Sequence, residues 1–144
     1  MTEVAFHFNA PDRLDHVCRL LRKASSRNAR AVVVSPADLL DKLDTALWTF
    51  SALDFVAHCR AGDAPDLLQA SPVVLASDLA DSLPHHELLV NLAPQVPSGF
   101  ERFARVVEVV STDEADRAAA RQRWKHYADR GYKIDRHDLN TSGG

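Results

Sequence analysis

The chain has 144 residues, 46% hydrophobic and 26% charged, a size and balance that fit one globular domain with a sizeable core. Its 17 Lys and Arg are outnumbered by 20 Asp and Glu, and the net charge of -3 excludes a molecule built to coat nucleic-acid phosphates. Cys18 and Cys59 lack CxxC spacing, and MTEVAFHFNAPD at the amino terminus carries Glu3 and no long apolar run, so the expectation is a cytoplasmic protein without signal peptide or membrane span.

Glu3 to Phe8 alternates in character around Val4, Phe6 and Phe8, which predicts a strand, and Asn9-Ala10-Pro11-Asp12 breaks it. From Asp12 to about Arg27, Leu14, Val17, Cys18, Leu21 and Ala24 recur at helical spacing, with Asn28 as the stop. Ala31 to Val34 is apolar throughout, the pattern of a strand covered on both faces in a parallel sheet. Ser35-Pro36-Ala37-Asp38 predicts a helix start with Ser35 as N-cap, running to about Leu47.

Trp48 to Ser71 is the least regular stretch and contains the turn-rich Ala61 to Pro65. Pro72 to Ala76 and Leu88 to Leu92 read as two further buried strands, a short helix is expected around Phe100 to Phe103, and Arg105 to Val110 reads as the last strand. Ser111-Thr112-Asp113-Glu114 matches a capping box, opening a helix that ends near Arg130 at Gly131. Strands alternating with helices predict a single three-layer α/β/α domain, Rossmann-like, over 1–132, with a mostly parallel sheet of about five strands. The remaining 133–144 reads as a polar, flexible tail.

Signals for catalysis are missing. Nucleotide binding at strand ends wants glycines, because only they let backbone amides approach a phosphate closely, and neither Asn9-Ala10-Pro11-Asp12 nor Ser35-Pro36-Ala37-Asp38 has one. No GxGxxG, GxxxxGK[ST] or GxSxG occurs. The 7 histidines include His85-His86 and His58-Cys59, but adjacent residues rarely chelate alone and HExxH is absent, so solvated loop histidines are expected and no metal or cofactor. A small nucleotide-binding or hydrolytic enzyme using the strand-end crevice is the competing class. Direct single-strand binding is another, and it needs a basic groove with stacking aromatics.

The final helix carries the informative pattern. Arg117, Arg121 and Trp124 follow i, i+4, i+7 spacing and share one stripe, with Val110 at the end of the preceding strand near its start. Two guanidinium forks beside an apolar plate suit an acidic peptide that ends in a carboxylate and carries aromatic side chains. Spacing alone leaves a second reading open: Asp113 pairing with Arg117 on a solvated face, and Trp124 in the core. A second cluster, Trp48, Phe50, Phe55 and Val56, either covers one end of the sheet or faces a partner protein.

At these residues the sequence resembles the chi subunit family of bacterial DNA polymerase III. The resemblance runs through Phe6-His7-Phe8, Leu43-Asp44-Thr45-Ala46-Leu47-Trp48, Phe55-Val56-Ala57-His58, Pro72-Val73, Asn91-Leu92, Ala120 to Tyr127, and Gly131-Tyr132. No one of these motifs is specific; their order is. It implies a non-catalytic α/β subunit that pairs with the psi subunit of the clamp loader, or with a repair helicase in its place. It also implies capture of the acidic, Phe-ending tail of single-stranded DNA-binding protein. By resemblance, Val110, Arg117, Arg121 and Trp124 match the tail-binding positions, with Arg117 where a lysine can occur and Trp124 where tyrosine is usual. The psi-facing surface is implied around Trp48, Phe50, Phe55 and Val56, and Ala57 departs from the family's proline.

Overall fold

The computed structural model describes residues 2–49, 57–79 and 83–139. In chain order these form β1 (Glu3–Ala10), α1 (Arg13–Ser26), β2 (Ala31–Val34), α2 (Ala37–Thr49), β3 (His58–Arg60), α3 (Pro65–Ala70), β4 (Val73–Ala76), β5 (Leu88–Asn91), a 3-10 turn at Phe100–Arg102, β6 (Arg105–Ser111), α4 (Glu114–Asp129) and β7 (Ile134–Asp138). All strand pairings are parallel, in one sheet of order β3-β4-β2-β5-β6-β1-β7.

Strand alternation divides the apolar residues between two cores. Val33, Leu75, Val90 and Val107 face α1 and α2, which bury Val17, Cys18, Leu21, Leu40, Leu43 and Leu47 against them. Val32, Val74, Leu89, Val106 and Val110 point the other way, toward Phe100, Phe103 and the Ala120 and Tyr127 side of α4. Both faces of β2 are therefore covered, as its unbroken Ala-Val-Val-Val predicts. Burying each such Val or Leu side chain contributes about 1.5–3 kcal/mol.

The helix ends follow the sequence signals, with two shifts. Asp12 caps α1 by accepting from the Asp15 amide, and Asn28 closes the helix at φ 59 while Ala29 N–H donates to the Ala24 carbonyl. Gly131, at φ 81, does the same for α4, with Tyr132 N–H donating to the Tyr127 carbonyl. Ser35 does not cap α2: its hydroxyl lies 3.2 Å from the Pro36 carbonyl, the same carbonyl that accepts the Leu40 amide. In α4 the cap is Asp113 rather than Ser111. Asp113 accepts from the Asp116 amide at 3.2 Å, and Asp116 reaches back to the Ser111 amide at 2.7 Å.

The sheet has two strands more than the five expected, both at its edges. β3 lies in the irregular stretch, and β7 lies in the segment read as a polar tail. Each pairs on one side only, so neither needs the apolar run that marks a buried strand.

Candidate functional site

α4 is fixed to the sheet by a buried polar network. Glu108 interrupts the Val-rich β6 and is fully buried, as is Asn91, its register partner on β5. Its carboxylate accepts from Arg123 Nε at 2.8 Å, from Tyr127 Oη at 2.7 Å and from Asn91 Nδ2 at 3.0 and 3.1 Å. Burial pushes the Glu108 carboxyl up, against the opposing pull of Arg123 and the hydrogen bonds from Asn91 and Tyr127. Burial, together with the Glu108 charge beside it, also pushes the Tyr127 hydroxyl up. Arg123 Nη1 then donates to the Pro94 carbonyl, tying in the loop after β5. Every polar group of this cluster has a partner, the condition under which a buried ion pair is tolerated.

Because Arg123 and Tyr127 are turned inward, the stripe on the other side of α4 is turned out. Val110, Arg117, Ala120, Arg121 and Trp124 line one cavity of about 390 Å³, closed by Phe6, Phe8 and Asn9 of β1 and Arg136 of β7. All four residues expected from α4 and the end of β6 are thus brought together. Val110 forms the buried floor at 3% exposure. Trp124 is half-buried, its ring 5.0 Å from that of Phe6 at 54°. It is neither in the core nor free in solvent.

The arginines of the stripe are uncommitted or only loosely held. Arg117 is exposed and makes no ion pair among the described residues; the Asp113 pairing that spacing allowed is absent because Asp113 is the helix cap. Arg121 Nη2 lies 3.3 Å from Glu114 Oε1, with the two side chains 62% and 75% exposed, an arrangement that contributes about 0.2–1 kcal/mol. The cavity therefore offers cationic donors beside an aromatic wall.

Sequence reasoning did not assign Phe6, Phe8, Asn9, Ala120 or Arg136 to the site. Phe6 and Phe8 were visible as an aromatic pair on one strand face. A register shift between His7 and Ala10 marks a bulge beside the cavity, where Asn9 takes φ 62 and donates to Asp138 at 2.9 Å. Arg136 enters through β7, whose register places it opposite Phe6.

The second expected cluster is described only at Trp48. This residue closes α2 with 62% exposure, its ring 5.4 Å from that of His58 on β3. Phe50, Phe55 and Val56 lie outside the described residues. Beneath Trp48, Asp44 meets His58 at 2.8 Å and Arg60 at 3.2 Å. Burial opposes ionisation of Asp44, but the hydrogen bonds from His58 and Arg60 prevail and lower its pKa. This edge, at β3, is the opposite edge of the sheet from the cavity at β1 and β7.

A crevice at the carboxyl ends of the strands, where an α/β enzyme would bind its substrate, has a volume of about 570 Å³. Its lining includes Asp78, Gln95, Glu101 and Arg102, with no His or Cys among the described residues. Among those residues, no group of three or more His, Cys, Asp or Glu is disposed to hold a metal. The expectation of solvated loop histidines fails at two positions: His85 is 7% exposed and burial lowers its pKa, and His58 lies on β3 with its side chain 2% exposed.

The chain is similar to known proteins of one family. Residues 1–135 match the family model described as DNA polymerase III chi subunit, HolC. The chain is 32% identical over 145 residues to the DNA polymerase III subunit chi of Pseudomonas aeruginosa, covering 96% of this chain and 98% of that protein. It is 26% identical over 111 residues to the subunit of that name from Haemophilus influenzae, covering 75% of each. Against the Escherichia coli subunit it is 30% identical over 94 residues, covering 65% of this chain and 63% of that protein.

Proposed function

The chain belongs to the DNA polymerase III chi subunit family, accessory and non-catalytic in DNA replication, and from that premise we propose that it bridges two protein partners at the replication fork. One partner is the psi subunit of the clamp loader; the other is the acidic, Phe-ending tail of single-stranded DNA-binding protein. The observation that carries the reading is the convergence of Val110, Arg117, Arg121 and Trp124 on one cavity. The terminal aromatic ring sits against Val110 and Trp124, and the carboxylates take the guanidinium groups, which bind them as two-pronged forks.

Psi docks at the edge where Trp48 lies, with Phe50, Phe55 and Val56 added as contacts by the family resemblance alone, and a repair helicase takes the same surface when it replaces psi. Exposure of the Trp48 ring supports this assignment, since an indole that served only the core would be covered. With strands spaced about 4.8 Å apart, the two sites are separated by roughly 30 Å of sheet, so both partners fit at once. Bridging works by tethering: capture of the tail raises the local concentration of the clamp loader at coated DNA without high affinity at either site. The subunit acts in the cytoplasm and meets DNA only through its partner; no helix among the described residues is long and apolar enough to cross a membrane.

The test is a titration of a labelled acidic peptide with a free terminal Phe. Replacing Arg121 by Ala weakens binding while the melting temperature holds, and salt weakens binding to the wild type. Equal affinity for wild type and Arg121→Ala would refute the assignment. Binding of bare oligonucleotide without the binding protein would refute the indirect contact with DNA.

A further inference from the structure

Arg136 is the cation that the stripe on α4 does not account for. It lies on an edge strand, opposite Phe6 in the β1–β7 register, and reaches the same cavity from the wall facing α4. Its guanidinium carbon is 5.4 Å from the centroid of the Phe8 ring and 5.8 Å from that of Trp124. Contact with two rings restricts the side chain and favours a charged group over an aromatic face. A cation–π contact takes none of the N–H donors of a guanidinium in a hydrogen bond, so they stay available. The Arg136 side chain makes no hydrogen bond or ion pair among the described residues, and the acid two positions along its strand, Asp138, accepts from Asn9 at 2.9 Å. The group is thus held in place by two rings while its donors lack an acceptor.

From this we infer that Arg136 is a specificity-determining residue of the cavity, reading the acidic side chains that precede the terminal aromatic residue of a bound peptide. The inference rests on the tail-binding reading above. The division of labour follows from placement. Arg117 and Arg121 sit one helical turn apart on α4, beside the Val110 floor, where a terminal carboxylate lies once its ring is seated. Arg136, on the opposite wall, meets chain that enters across the rings. An occupant that satisfies all three carries negative charge both at its end and before it. A carboxylate docking on a guanidinium already held over two rings gains a charge-assisted hydrogen bond without ordering a mobile side chain first.

Two labelled peptides separate this from the parent reading: four aspartates followed by a C-terminal phenylalanine, and the same peptide with serines for the aspartates. Arg136→Gln removes the charge and leaves a shorter, neutral polar side chain. Its affinity for the aspartate peptide falls about tenfold, with a shallower dependence on salt, whereas its affinity for the serine peptide stays within about twofold of wild type. Arg136→Lys recovers part of the loss, because the charge returns without the planar fork. Arg121→Ala weakens both peptides. Aspartate-peptide binding by Arg136→Gln equal to that of wild type, alongside weakened Arg121→Ala, overturns the role of Arg136 and leaves tail capture standing. Equal weakening of both peptides by Arg136→Gln also overturns it, because a residue that merely props Trp124 would act on both. Failure of the wild-type chain to bind either peptide removes both readings.

Discussion

Arg121 and Arg123 stand two positions apart on one helix and do opposite things. The Arg123 side chain is 2% exposed and the Arg121 side chain 62%. A step of two residues rotates a helical position by about 200°, so one arginine faces the sheet and the other faces solvent. Inside, Arg123 is surrounded by acceptors that match it: the Glu108 carboxylate and the Pro94 carbonyl. Outside, Arg121 has one loose partner in Glu114 and Arg117 has none among the described residues. The difference teaches what marks a docking group. It is not the residue type but whether its donors already have acceptors within the fold.

The largest effect that would break this contrast is on stability. Replacing Arg123 by Ala strands the Glu108 carboxylate in the core, and removing one partner of a buried pair costs about 3–5 kcal/mol. Urea denaturation of Arg123→Ala is expected to show that loss, and a change below about 1 kcal/mol would mean that water reaches Glu108. Arg121→Ala is the mirror case. Its stability is expected to move by less than about 1 kcal/mol, while affinity for an acidic Phe-ending peptide falls by about 1.5–3 kcal/mol, as read by calorimetric titration.

Which half of the contrast is legible in sequence has a physical explanation. The outer stripe is a matter of local spacing, and Arg117, Arg121 and Trp124 declare it through the helical period alone. So do α1 and the covered strands, whose periodicity and β-branched runs are local. The inner network is nonlocal. Glu108 within Val106 to Val110, and Asn91 after Leu88 to Val90, are conspicuous polar breaks, but only the β5–β6 register shows that they face each other. Arg136 was hidden for the same reason: its value comes from pairing with β1, and the sequence around it reads as a polar tail. β3 escaped because an edge strand of three residues carries too short a pattern.

A third polar group sharpens the contrast through pH. On the α1 side of the sheet, His7 Nδ1 lies 3.0 Å from His16 Nε2, and its ring centroid is 4.7 Å from that of His137. Burial, reinforced by His16, His137, Arg105 and Lys23, lowers the His7 pKa from 6.5 to about 4. Unlike Glu108, it has no opposite charge beside it among the described residues to favour the ionised form. The unfolded chain therefore takes up the proton first as pH falls, and the stability present above pH 6.5 is lost progressively toward about pH 4. With His7 only partly buried, the loss is expected to be about 1 kcal/mol, or about 2–4 °C in Tm. Thermal melts of His7→Gln across this range should fall less steeply than those of wild type; parallel curves would assign the acid sensitivity elsewhere.

The smallest effect concerns Glu114, the acid that competes for Arg121. Its Oε1 lies 3.3 Å from Arg121 Nη2, so an incoming carboxylate must displace it or share the fork. Glu114→Gln removes the competitor's charge while keeping its shape, and peptide affinity should rise by about two- to threefold, within the range of an exposed ion pair. The same acid sits in the first turn of α4, where a negative charge complements the helix dipole, so stability should fall by about 0.3–1 kcal/mol. The opposed signs are the discriminating feature, because general loosening of the helix would lower both quantities together. A drop in affinity would mean that Glu114 orients Arg121 for the ligand instead of competing with it, and the stripe would then be a preassembled site rather than a set of arginines awaiting acceptors.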